Sequence, residues 1–67
     1  MKICNFIQPE LDEFRKLCNF TPEEREYFEL KATDMSNVEI SMQMNISEAK
    51  VSVLAKKVKS KILRVIH

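Results

Sequence analysis

From Glu48 to Ile66 no proline, glycine or capping residue interrupts the chain, and Val51, Leu54, Ala55, Val58, Ile62, Val65 and Ile66 recur at helical spacing. That stretch predicts one long helix with a single apolar stripe. In a chain of 67 residues the other elements must gather on that stripe. A domain of this size buries only about 60% of its unfolded surface, so the fold is marginal and leaves little room for a substrate cavity.

The rest of the chain also reads as helix, with no alternating strand pattern. A first helix is expected to start at Pro9, since proline suits the first helical position, with Leu11, Phe14, Leu17 and Cys18 on one stripe. Residues 1–8 contain Ile3, Phe6 and Ile7, apolar enough to cover something, but no pattern fixes their conformation. Thr21-Pro22-Glu23-Glu24 is a capping box with proline just inside it, opening a helix to about Ala32. Thr33-Asp34-Met35 reads as a connection. Ser36 and Glu39 form a second box, opening a helix of only two turns. It ends at Asn45, the best non-glycine residue for a left-handed turn, and Ser47 caps the long final helix. The expectation is an all-α small helical bundle forming a single domain over 1–67, with an N-terminal segment and helix (1–19) ahead of a helix-turn-helix (20–67). Cys-Asn-Phe occurs at 4–6 and again at 18–20, with Pro9 between and different surroundings, and is taken as coincidence.

Several classes of function are excluded. The chain has no glycine, so it holds neither a phosphate loop nor a dinucleotide fingerprint, which need glycine where backbone approaches phosphate. No apolar run reaches the roughly 18 residues of a membrane span. Residues 1–8 are too short for a signal peptide, and a cytoplasmic protein is expected. Cys4 and Cys18 allow one disulfide, although two reduced thiols fit that compartment better. The only histidine is His67, which makes a zinc site a poor reading, and no metal or cofactor is expected. Cys4 or Cys18 with His67 would be the only nucleophile and base, and the carboxylates fall at helix starts and on polar faces, so no catalytic residue is assigned.

The charge is sharply divided. Residues 1–49 hold ten acids and five bases, a net −5, whereas residues 50–67 hold Lys50, Lys56, Lys57, Lys59, Lys61 and Arg64 with no acid, a net +6. Such a division marks a surface that meets a polyanion. The plainer alternative is a solvated basic face whose cations also suit the end of the helix dipole.

Val38 to Leu54 carries the informative pattern. A helix-turn-helix needs an apolar and then a small residue on its first helix so that the second crosses closely, and Ile40 and Ser41 fill those places. Met44 precedes the turn, Asn45 makes it, Ile46 plugs it, and Val51 and Leu54 are the expected buried residues of the second helix. Thr21-Pro22-Glu23-Glu24-Arg25-Glu26, then Ser36-Asn37-Val38-Glu39-Ile40, then Ile46-Ser47-Glu48 with Val51, resembles the LuxR-type helix-turn-helix family, with matching spacings between the blocks. Region 4 of sigma factors is a related group that the lysine-rich end also resembles. The resemblance covers residues 20 to about 63 and implies a bacterial or phage DNA-binding transcription regulator. Asp34 and Asn45 stand where glycine is common in the family, and Ser41 where alanine is usual. Val53 and Leu54 stand where polar residues usually face DNA. The family's dimerising fourth helix has no counterpart, and an extra N-terminal helix stands in its place.

With the stripe buried, the opposite face of the last helix carries Ala49, Ser52, Val53, Lys56 and Ser60, flanked by Lys50, Lys57 and Lys59. The base-facing set is therefore Ala49, Lys50, Ser52, Val53 and Lys56. Phosphate contacts are expected from Ser36, Asn37, Ser47, Lys57 and Lys59. Ser36 also has a plain capping role, and Glu48 suits the helix N-terminus without any base contact. The expected partner is double-stranded DNA. Ile62, Leu63, Val65 and Ile66 extend apolar surface that either packs on Leu11, Phe14 and Leu17 within one chain or meets a partner helix, and a homodimer would form through these residues or through the N-terminal helix. The rival function is a protein adaptor for RNA polymerase or another regulator, with no DNA site of its own.

Overall fold

A computed structural model of the chain describes residues 3–66, apart from the Cys4 side chain. A 3-10 turn at Ile3–Asn5 leads into four helices, α1 (Gln8–Leu17), α2 (Pro22–Ala32), α3 (Asn37–Met44) and α4 (Glu48–Ile66). No strand occurs among the described residues, and the architecture is the expected all-α bundle.

The motif helices start where their caps put them. The Glu24 N–H donates to Thr21 Oγ1 at 3.3 Å, and the Thr21 N–H donates to the Glu24 carboxylate at 3.1 Å. Glu39 and Ser36 repeat this at 3.2 and 3.3 Å. The Lys50 N–H donates to Ser47 Oγ at 3.2 Å and opens α4. Helix α1 differs from expectation, starting one residue ahead of Pro9. Its cap residue Ile7 offers no acceptor, but the Ile7 N–H donates to the Glu10 carboxylate at 3.0 Å and so secures an earlier start. Pro9, second in the helix, lacks an N–H that the helix would not have paired.

Both sharp turns are left-handed without glycine, at Asp34 (φ 64°) and Asn45 (φ 57°). After Asn45 the chain reverses tightly, and the Ile46 N–H reaches Ser41 O at 3.0 Å. Ser41 is buried and donates its hydroxyl to Val38 O at 2.7 Å, which satisfies that polar atom where α3 packs on α4.

The core draws on every helix: Leu11 from α1, Phe28 from α2, Ile40 from α3, and Val51, Val58 and Ile62 from α4. Phe14 of α1 stands edge-on to Phe6 and to Phe28, with ring centroids 4.9 and 6.4 Å apart. Arg15 then ties α1 to α2, its Nε and Nη2 donating to the two Glu29 oxygens at 2.6 and 2.7 Å and its Nη1 to Asp12 at 2.6 Å. These bonds hold the Glu29 carboxyl below the usual carboxylate range, against the opposing effect of partial burial.

Two stripe assignments need correction, and so does one residue expected at a homodimer contact. Leu17 is 58% exposed, because it lies about 120° around α1 from Leu11, whereas Phe14 and Cys18 stay within about 60°. Ile66 is 51% exposed at the last turn of α4. Ile62 is fully buried in its own chain's core, so it has no surface to offer a second copy. Cys18 is a buried free thiol, and burial pushes its pKa up. The expectations about the Cys4 side chain and His67 fall outside the described residues. No helix among the described residues is long and apolar enough to cross a membrane.

Candidate nucleic-acid interface

Because α2 and α3 hold Val51, Leu54, Val58 and Ile62 inward, the helical repeat turns the opposite side of α4 to solvent. Ala49, Val53, Lys56 and Ser60 lie along the middle of that side, with Ser52 and Lys59 on one flank and Lys57 on the other, and all are exposed. Four of the five residues expected to face bases, Ala49, Ser52, Val53 and Lys56, thus project together from the first half of the helix. Val53 is 47% exposed. Leu54, by contrast, is buried and does not join it.

Lys50 departs from the group. Its Nζ lies 3.8 Å from Glu23 at the start of α2, so its charge sits at the edge of the face, leaning toward an acid. Of the residues expected at phosphates, Lys57 and Lys59 are exposed beside the face. The Ser36 and Ser47 oxygens accept the backbone bonds that cap α3 and α4, which leaves each hydroxyl proton to be donated outward. Asn37, also exposed, accepts from Lys31 Nζ at 3.5 Å, and Lys31 also donates to Met35 O at 3.2 Å. A lysine outside the basic segment therefore stands at the start of α3.

Lys61 is withdrawn from the basic surface. Its ammonium donates to the Glu24 carboxylate and to Asn19 O, the latter at 2.6 Å. Glu24 is buried, at 4% exposure. Its carboxyl is held below the usual range chiefly by the hydrogen bond from Lys61, opposed by desolvation and helped by the Thr21 N–H and the charges of Lys61 and Lys57. The capping role legible in sequence concealed this pairing, because Lys61 lies 37 residues away. Arg64 is a gain. It joins Lys56, Lys57 and Ser60 along a groove of about 370 Å³ on the α2 side of α4. The seven-residue spacing of Lys57 and Arg64, which puts both on one line of the helix, was the available signal.

The arrangement presents a convex ridge of cations, two serines and two small apolar side chains, suited to a polyanion with accessible edges. Among the described residues no group of three His, Cys, Asp or Glu side chains is placed to hold a metal ion.

A family model described as bacterial regulatory proteins, luxR family, matches residues 18–64. The match takes in α2, α3 and α4 up to Arg64, more than two thirds of the chain, and leaves α1 outside. No curated protein and no solved structure matches the chain.

Proposed function

The chain belongs to the luxR family of bacterial regulatory proteins, and from that premise we propose that it is a transcriptional regulator that binds duplex DNA by laying the first half of α4 in the major groove. The observation that carries this reading is the joint exposure of Ala49, Ser52, Val53 and Lys56 on one side of a helix whose other side packs Val51, Leu54, Val58 and Ile62 into the core. A major groove about 12 Å wide accepts one helix, and its N-terminal turns reach the base edges. Ser52 donates or accepts there, Lys56 reaches a guanine, and Ala49 and Val53 meet thymine methyls. Lys50 serves the rim, while Lys57, Lys59, Ser36, Asn37 and Ser47 hold phosphates. No Arg, Asn or Gln stands in the first half of α4 for bidentate readout, so specificity is modest and rests on methyl contacts and DNA shape.

Fluorescence anisotropy on a labelled duplex tests the proposal. Affinity is expected to fall steeply with salt, because every phosphate contact releases counterions, and the double variant Lys56→Glu, Lys57→Glu is expected to bind at least about tenfold more weakly. Unchanged binding by that variant removes this face from the DNA site. One observation favours the adaptor reading instead, namely that Ala49 and Val53 put apolar atoms in the middle of the face. An adaptor shows no duplex binding even at low salt and co-purifies with RNA polymerase or another regulator.

A further inference from the structure

Two hollows meet at the end of the molecule away from the start of α4. One, of about 420 Å³, runs between α1 and the end of α4 and includes Glu10, Glu13, Leu17, Val65 and Ile66 in its lining. The other, also about 420 Å³, includes Leu17, Val65 and Arg64. They share Leu17 and Val65, so they form one trough with an apolar middle. Its α1 end is acidic and its far end is basic. Leu17 and Ile66 are 58% and 51% exposed, so both present apolar surface to solvent at this end of the bundle.

We propose that this trough is an isologous dimer interface, occupied by the same trough of a second copy of the chain. A two-fold axis through the Leu17–Val65 middle brings each acidic end onto the partner's basic end, as a self-complementary patch requires. Leu17 and Ile66 then pack across the axis, and Glu13 of each copy faces Arg64 of the other. Neither Glu13 nor Arg64 forms an ion pair within the described part of its own chain. One wall of the trough comes from α1, which lies outside the residues matched by the family model. Ile62 takes no part because it is buried, and Leu63 lies on the outer flank of α4, outside the lining of either hollow. The proposal goes beyond the DNA reading and is independent of it, since association is measured without DNA.

Sedimentation equilibrium of the full chain is the test. At about 100 µM the wild type is expected at twice the 7.9 kDa chain mass. Leu17→Glu, an exposed position whose fold is checked by circular dichroism, is expected to give monomer, whereas Leu63→Glu leaves the dimer intact. Glu13→Lys and Arg64→Glu, each alone, are expected to weaken association by about tenfold or more. The two together are expected to restore it, because a two-fold interface with both charges exchanged is again complementary. A monomeric wild type overturns the proposal. So does a dimer indifferent to Leu17→Glu, or a double exchange that fails to rescue.

Discussion

Helix α1 and the motif helices α2 to α4 are held by different physics. Each motif helix opens on a hydroxyl cap supplied by Thr21, Ser36 or Ser47, and α3 closes on a left-handed Asn45. These bonds span three or four residues, so the chain carries its own instructions for where the motif bends. Helix α1 has no side-chain acceptor at its cap and ends on extended Cys18. What places it is distant in sequence: Phe14 edge-on to Phe28, and the Arg15 fork on Glu29, fourteen residues away. The ends of the motif helices are thus fixed by local geometry, while α1 is attached through tertiary contacts that a few substitutions can undo.

Phe14→Ala is expected to have the largest effect on that contrast. It removes a buried ring (3% exposed) that joins Phe6 to Phe28, at a cost of about 3 kcal/mol. Since small domains have only about 5–15 kcal/mol in total, the urea midpoint should drop substantially. If tertiary contact alone holds α1, far-UV ellipticity should begin to fall before tyrosine fluorescence, with Tyr27 of α2 reporting an intact motif. Coincident loss of the two signals would break the comparison by making α1 part of the same cooperative unit as the motif.

The division between local and distant contacts also accounts for what sequence reading recovered. The capping boxes at Thr21 and Ser36, the turn at Asn45 and the buried slots Ile40, Ser41, Val51 and Leu54 were legible because neighbours within one turn define them. The same helical periodicity exposed Ala49, Ser52, Val53 and Lys56 as one face. It misjudged Leu17 and Ile66, since a stripe drawn on one helix does not show where its cover stops. Pairings between helices were invisible. Lys61 counted toward the basic surface until its contact with Glu24 withdrew it, and the approach of Lys50 to Glu23 left no sign in the spacing. Residue spacing gives the direction of a side chain, but the neighbouring helix decides its partner.

The Glu24–Lys61 pair sharpens the same contrast at intermediate cost, since it adds a distant contact to a motif otherwise fixed locally. Lys61→Met leaves the buried Glu24 carboxylate without its cation and is expected to cost about 2 kcal/mol at neutral pH, less than a fully enclosed pair because Lys61 is 26% exposed. The sign of the pH effect comes from the lowered carboxyl. The unfolded chain binds the Glu24 proton more tightly than the folded one, so this contribution is complete above the ordinary Glu range near about 4.3. It is lost as pH falls through the lower folded value. Denaturant titrations from neutral to acid pH should show wild-type stability declining on the acid side. In Lys61→Met that decline should be shallower, because burial is then opposed only by the Thr21 N–H and the charge of Lys57. Equal acid slopes in the two proteins would place the Glu24 pairing outside the forces that hold the motif.

The smallest effect concerns the turn itself. Asn45 holds φ 57° and ψ 47° while its N–H donates to Met42 and Ser41 carbonyls. A β-carbon without a polar group is penalised in that region, so Asn45→Ala is expected to cost about 1 kcal/mol. Glycine relieves the same crowding but gives the unfolded chain more freedom to lose, and the two effects offset to within about 0.5 kcal/mol. In thermal melts the alanine variant should fall by roughly 4–8 °C, with the glycine variant close to wild type. Because Asn45 sets the direction in which α4 leaves α3, the alanine variant should also lose DNA affinity more than its small loss of stability implies. If alanine and glycine prove equivalent, the turn is imposed by the packing of Ile40 and Ser41 on α4, and the motif is held from a distance just as α1 is.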